Sequence, residues 1–344
     1  MMMMMRRIFL PLIWASAPLW PTATAAAAAR KNLIIDTDLF SDVDDTGALL
    51  LAATSPDVNL LAVNVNYPSS YSALAASALL AHYGHPDVSI GAARPLTDES
   101  FFDDYSYALG EYASKVAYRY SGGSLPWGGA EKAWDPVDLY RRMLAGAEDG
   151  SVTVVSVGFL DNLSGLMNST ADAHSNLTGP ALIASKVCEL VVMGGGYPSG
   201  HEFNFFGYSP LRTAHVVNNW PGKMVFSGSE LGGNVTSGGR LMAEGPEDDP
   251  TRRAYVWYTY GAPRFSWDPL TVLYAVGGLG DVFAFGNEVG YNHVFLNGSN
   301  EWVFDEGVTD QRWLRLRVSN ETASARLDEL YLRGARMASN STAA

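Results

Sequence analysis

Five aspartates, Asp36, Asp38, Asp42, Asp44 and Asp45, fall within ten positions of the stretch LIIDTDLFSDVDDTGALLLAA, residues 33–53. One apolar run stops there and another, helix-like, begins. One or two carboxylates at a helix start are ordinary: a side-chain oxygen caps free backbone N–H groups, and negative charge suits the positive end of the helix. Asp44 or Asp45 is the expected cap. Five carboxylates are not explained that way, because like charges held together repel and are driven to bind protons unless something positive neutralises them. No Lys or Arg lies between Lys31 and Arg94, so no local cation is at hand. A bound divalent metal is the economical answer, and all-oxygen ligands favour Ca²⁺ or Mg²⁺ over zinc. The spacing lacks the glycine and distal glutamate of an EF-hand.

Two later stretches carry further chemistry. In MGGGYPSGHEFNFFG (193–207) the glycines allow close backbone approach to a ligand, while Glu202 and Asn204, two residues apart, suit recognition of vicinal hydroxyls. The stretch lacks the Lys-Ser/Thr of a phosphate loop and the spacing of a dinucleotide fingerprint. In FSWDPLTVLYA (265–275), Asp268 before Pro269 reads by itself as a helix cap followed by a first-turn proline.

The elements that must position these groups are apolar, β-branched runs alternating with helical stretches. Strands are expected at 31–36, 58–66, 151–158, 186–196 and 222–230, with helices within 45–54, 72–84, 136–149 and 209–221. Continuous rather than alternating apolarity means burial on both faces. The expected fold is α/β: a single domain with a mostly parallel, Rossmann-like central sheet flanked by helices. Ligands bind such sheets beyond the carboxyl ends of the strands, where the residues above lie.

The chain has 344 residues, 47% hydrophobic and 17% charged, enough for a large core, with a formal net charge of −13. That acidity disfavours nucleic acid and anionic membranes as partners. Residues 1–29 read as a secretory signal peptide: Arg6 and Arg7 precede an apolar stretch interrupted by prolines, then a small-residue tract, and no stable membrane anchor is expected. Removing the two arginines makes the mature chain, 30–344, more acidic still. Sequons at Asn162, Asn168, Asn176, Asn234, Asn297, Asn320 and Asn340 support an extracellular glycoprotein, with Asn162 the one expected to be buried. The lone Cys188 reads as a buried, inert thiol.

Together, DTDLFSDVDD, VGFLDNL (157–163), VVMGGGY, EFN and WDP, in that order, resemble the inosine/uridine-preferring nucleoside hydrolases, a calcium-dependent family, and in particular a secreted member of fungal type. The resemblance implies hydrolysis of the N-glycosidic bond of ribonucleosides to ribose and free base, with a nucleoside as the small-molecule partner. Carried over, Asp38, Asp45, Asp268 and the Val157 carbonyl would hold Ca²⁺, and Asp44 would be general base on a calcium-bound water. Asp36 would orient the cluster, with Asp42 taking a share. Met193, Glu202 and Asn204 would line the ribose pocket. By position, Asn64, Asn66 and Ser69 could reach the ribose, and Trp267, Tyr67 or Phe206 could stack on the base.

The chain departs from the family pattern at three places. Phe40 stands at a family glycine and SDV lengthens the acidic loop. The segment before EFN is short and lacks an Asn for the 5′-hydroxyl. Trp267 occupies a position where some members place a His that protonates the leaving base; His201 is a candidate replacement. The alternatives are a related N-riboside hydrolase of altered specificity and a catalytically weak sugar-binding homologue. Homo-oligomerisation is left open.

Overall fold

The computed structural model describes residues 30–100 and 110–342; the signal-peptide segment lies outside them. An eight-stranded sheet organises the molecule. In chain order its strands are β1 (Lys31–Thr37), β2 (Val58–Val65), β3 (Ser89–Ala92), β4 (Val152–Ser156), β5 (Val187–Met193), β6 (Met224–Ser227), β7 (Phe283–Phe285) and β8 (Gln311–Leu316). Across the sheet the order is β7-β8-β6-β5-β4-β1-β2-β3. Every pairing is parallel except that of the edge strand β7 with β8. The five expected strands are present within a residue or two at most ends. The expectation did not include β3, β7 and β8, which are short or alternate in polarity.

From β1 the chain builds outward through β2 and β3, then crosses back to β4 and builds the other way through β5 and β6. The reversal opens a crevice between the carboxyl ends of β1 and β4, the usual ligand position in an open parallel sheet. Both strands are buried on both faces, which matches their unbroken apolar sequence.

The two-residue period of the strands decides which face each side chain joins. Leu33, Ile35, Val63, Val65, Val155 and Val191 enter one core, covered by the helices Asp44–Thr54, Ser70–His82, Trp267–Gly277 and Asn320–Thr342. Ile34, Ala62, Val154, Leu190 and Val192 enter the other, covered by Pro136–Gly146, Asp161–Met167, Gly179–Lys186 and Pro210–Asn219. Parity therefore sends Asp36 toward the second core.

The helix Asp44–Thr54 is buried from Asp44 to Ala53, so its apolar sequence on every side is what its position requires. Its N-cap is Val43, which makes no side-chain cap bond. Asp44 and Asp45 are thus first-turn residues and not caps, a correction to the sequence reading. Asp268 is likewise not a cap: the helix Trp267–Gly277 begins one residue before it, with Ser266 at the N-cap position. Cys188 also differs from expectation, because it lies at the exposed start of β5, with its thiol on the Val152 carbonyl at 3.2 Å. Among the described residues no helix is long and apolar enough to cross a membrane.

Gly47 sets how closely the Asp44–Thr54 helix meets its neighbours. A Cβ there would stand 2.1 Å from the Tyr331 hydroxyl and 3.0 Å from that of Tyr255. Gly47→Ala is expected to destabilise the fold by about 1–3 kcal/mol through overpacking, measured by denaturant unfolding, and Tyr331→Phe in the same chain should recover part of the loss. An unchanged midpoint would show that the helix shifts freely.

Candidate active site

Asp38, Asp45 and Asp268 converge. One carboxylate oxygen from each lies within 4.8 Å of the other two, and all three side chains are buried. Asp45 accepts hydrogen bonds from the Thr37 hydroxyl and, at 3.2 Å, from the Leu39 N–H. Leu39 holds a positive φ of 28°, unusual for a branched residue, and this bend aims its N–H at the carboxylate. Asp44 stands beside the triplet and accepts the Asp268 N–H at 3.1 Å through Oδ2. Asp44 and Asp45 begin one helix and Asp268 another, so two positive helix ends face the same carboxylates.

Asp36 is outside the triplet, as parity requires. Its carboxylate accepts Asn66 Nδ2 at 2.6 Å, the Tyr140 hydroxyl at 2.7 Å and Asn162 Nδ2 at 3.2 Å. Asn66 Oδ1 in turn accepts the Phe159 N–H at 3.1 Å. Asn66 is therefore committed to tying the ends of β1, β2 and β4 together. Val157 donates its N–H to the Asp36 carbonyl at 2.7 Å. The next residue, Gly158, packs so closely that a Cβ would stand 2.6 Å from Asp38 N. The backbone of Val157 is thus held beside the acidic loop. Asn64 is bound to the Pro136 carbonyl at 3.3 Å, and Ser69 to that of Glu99 at 3.0 Å.

Glu202, Asn204 and Met193 form one connected unit. Glu202 accepts the Asn204 N–H at 2.8 Å and the Gly195 N–H at 3.0 Å, and Asn204 Nδ2 reaches the Met193 carbonyl at 3.3 Å and its sulfur at 3.1 Å. The glycine run admits this chain's own groups: a Cβ on Gly194 would stand 2.1 Å from the Phe205 ring. Asn300 brackets Gly196, accepting its N–H and donating to its carbonyl at 3.0 Å each.

Aromatic rings edge this region. Phe40 stacks on Tyr67 with centroids 4.2 Å apart; Tyr67 neighbours Tyr208 at 6.1 Å, Tyr208 neighbours Phe159 at 5.3 Å, and Phe159 neighbours Phe203 at 5.7 Å. The loops after β1, β2, β4 and β5 each supply at least one ring. Trp267 is fixed differently: its indole N–H donates to the Ser229 carbonyl at 2.8 Å, and its backbone lies against Gly232. His201 is exposed, with its ring stacked 4.1 Å from Phe206 and Nε2 on the Asn297 carbonyl at 3.3 Å.

Asp42 departs from the sequence reading, in which the cluster had no cation of its own. Arg264, 222 residues away in sequence, places Nε 3.0 Å from both oxygens of Asp42. Sequence reasoning also missed Tyr140, Thr37 and Tyr112, whose hydroxyls bond Asp36, Asp45 and the Asp42 carbonyl. Thr37 adjoins the motif, but nothing local marks Tyr140, Tyr112 or Arg264.

Burial raises every one of the core carboxyls. Asp36 and Asp38 are pushed up to about 7, and so is Glu202, whose burial-driven rise is opposed by the backbone N–H groups of Asn204, Gly195 and Phe205 and assisted by Asp38. Asp44, Asp45 and Asp268 are raised well above the ordinary carboxylate value, by burial first and by neighbouring carboxylate charges next, chiefly Asp42 for Asp44, Asp38 for Asp45 and Asp44 for Asp268. Three buried, hard oxygen donors that repel each other when ionised fit a hard divalent cation.

A cluster of this kind at the switch point of an open sheet belongs to the metal-dependent class of α/β enzymes. More narrowly, residues 33–225 match the family model described as inosine-uridine preferring nucleoside hydrolase, and the chain belongs to that family. It is by that membership a ribonucleoside hydrolase. Solved structures share the fold. An inosine-uridine preferring nucleoside hydrolase from Bacillus anthracis is 18% identical, with 89% of this chain and 99% of that one covered and a TM-score of 0.62. An inosine-guanosine nucleoside hydrolase is 18% identical over 88% of this chain and 99% of that one, with a TM-score of 0.66. A purine-preferring ribonucleoside hydrolase from Gardnerella vaginalis is 16% identical over 90% of this chain and 99% of that one, with a TM-score of 0.64. Among curated proteins there is no match.

The raised carboxyls fix the sign of a pH dependence. Between the ordinary Asp value of 3.8 and about 7 the folded chain holds protons that the unfolded chain has released, so without a cation stability falls as pH rises through that window. In chelator, the thermal midpoint should be higher at about pH 5 than at about pH 7.5. Added calcium should raise it more at the higher pH, because cation and protons compete for the same oxygens. A chelated midpoint that climbs from the lower to the higher pH would contradict this electrostatic account.

Proposed function

We infer that the chain hydrolyses ribonucleosides with Ca²⁺ held by Asp38, Asp45, Asp268 and the Val157 carbonyl. The observation that carries this reading is the buried convergence of three carboxylates from two distant segments. When bound, the cation supplies Lewis acidity toward a water and a seat for vicinal hydroxyls. Asp44 adjoins the triplet without belonging to it, its carboxyl raised by burial and oriented by the Asp268 N–H, and it accepts the proton of the attacking water. The oxygen of that water forms the new bond to the anomeric carbon as the bond to the base nitrogen breaks. Direct attack gives inversion. Negative charge around the sugar stabilises its oxocarbenium character.

Glu202 and Asn204, locked together with Met193, receive the ribose hydroxyls. Asp36 holds the strand ends in place through Asn66, Tyr140 and Asn162. The planar base lies against the rim formed by Phe40, Tyr67 and Tyr208.

One observation favours altered specificity within the same chemistry. The Trp267 N–H is already bound to Ser229, so this position has no proton to give a leaving base. Substrates whose base departs without protonation are then favoured.

The route is secretory and the protein extracellular, a member of fungal type. Asn168, Asn176, Asn234, Asn297, Asn320 and Asn340 are exposed, whereas Asn162 is buried against Asp36. Peptide mapping after expression through a eukaryotic secretory pathway should find glycans among the six and none on Asn162; a glycan on Asn162 would break the Asp36 assignment.

The activity is tested by ribose release across purine and pyrimidine nucleosides and nicotinamide riboside, with and without calcium. Chelation and Asp45→Asn should abolish turnover. Asp44→Asn should retain calcium and lose about 10²–10⁴ in kcat. Nicotinamide riboside should exceed inosine in kcat/KM. A folded, calcium-loaded protein that turns over none of these would overturn the reading, and would leave sugar binding to be measured by calorimetry.

A further inference from the structure

Asp42 lies in the acidic loop but points its charge at a partner from elsewhere. Arg264 Nε is 3.0 Å from each carboxylate oxygen and Nη2 also bonds Oδ2. The same carboxylate accepts the Val43 N–H at 2.7 Å, and the Asp42 carbonyl accepts the Tyr112 hydroxyl. The pair is largely shielded, with side-chain exposures of 12% for Arg264 and 22% for Asp42.

Arg264 is itself fixed. Its backbone pairs antiparallel with Ser237, and its guanidinium lies 5.5 to 5.8 Å from the ring centres of Tyr258, Phe265 and Trp267. Two residues further on, Ser266 shares a 2.7 Å hydroxyl contact with Ser237. Two residues beyond that is Asp268. The ion pair therefore joins the loop bearing Asp38, Asp44 and Asp45 to the segment bearing Asp268. A second direct bond between them is the 3.1 Å contact of the Asp268 N–H with Asp44.

We propose that the Arg264–Asp42 pair is a strut that holds the two halves of the carboxylate site together against their mutual repulsion, with Arg264 as a positioning residue. The proposal rests on the cation site described above. A guanidinium suits this position because its planar fork grips one carboxylate from two directions while its faces pack on rings, which an ammonium cannot reproduce. Asp42 gives it an attachment that leaves the triplet oxygens free. A different role, a counter-ion that merely softens the negative field, predicts the opposite sign. Removing a counter-ion tightens cation binding, whereas removing a strut loosens it.

Calcium calorimetry on the full chain, run beside hydrogen exchange in chelator, separates the two. Arg264→Ala should weaken calcium binding by about tenfold or more, the scale seen when groups that orient metal ligands are lost. It should also raise exchange across 38–45 and 264–268. Arg264→Lys should recover part of the affinity, and Asp42→Ala combined with Arg264→Ala should cost less than the sum of the two single changes, since both break the same ion pair. Unchanged or tighter calcium binding by Arg264→Ala, with unchanged exchange, would overturn the strut. If the unaltered protein binds no calcium, the cation reading fails on that result alone, and exchange in chelator still decides the strut. If Arg264→Ala does not fold, Arg264→Lys and Asp42→Asn carry the same comparison.

Discussion

The site depends on carboxylates that cannot all be ionised and left alone. Asp38, Asp45 and Asp268 have oxygens within 4.8 Å of each other, so each ionised pair costs about 3–4 kcal/mol at an effective dielectric constant of about 20. Three such pairs together approach about 10 kcal/mol, comparable with the whole stability of an ordinary domain. The fold tolerates them by several devices that act at different ranges. Two helix N-termini face the cluster, each offering a partial positive charge worth about 1–2 kcal/mol in such a setting. Backbone N–H groups of Leu39 and Asp268 bond Asp45 and Asp44 directly. These devices are too small to offset the repulsion. Protons or a divalent cation must supply the rest, which makes cation binding and proton release two sides of one equilibrium.

The sheet topology explains why the cluster can be assembled at all. Side chains at the end of β1 alternate between two cores, so Asp36 turns toward Tyr140 and Asn162 on one side while Thr37 turns toward Asp45 on the other. One strand end thus carries both a fastening group and a partner of the cation triplet. Reversal of strand order between β1 and β4 leaves the space above them open, and Asn66 and Val157 close its floor by bonding across three strands.

Much of this was legible in the sequence because local pattern encodes it. The apolar runs marked five strands, and the crowd of aspartates after the first marked the site, within which the family resemblance singled out Asp38, Asp44 and Asp45. What sequence could not show was long-range or geometric. Arg264 meets Asp42 across 222 residues, and no spacing rule foretells that contact. Tyr140 sits in an amphipathic helix where a tyrosine is unremarkable. Helix caps were misjudged because the carboxylates of Asp44, Asp45 and Asp268 turn toward one another, which tertiary packing imposes over the local preference for capping. Cys188 looked buried by its apolar neighbours, but it falls at the start of β5 before the core begins.

The rim of rings bears on how the base departs. A well-placed general acid contributes about 10²–10⁴-fold, or about 3–5.5 kcal/mol. A favourable aromatic contact adds about 0.5–1.5 kcal/mol, and only the part gained in the transition state speeds the reaction. Phe40, Tyr67 and Tyr208 together cannot therefore replace an acid at Trp267, whose N–H is held by Ser229. Holding a planar ring fixed while the carboxylates favour positive charge on the sugar is within their reach. In the reaction proposed above such a site discriminates by leaving-group quality, since the protein lends the departing base orientation and not a proton.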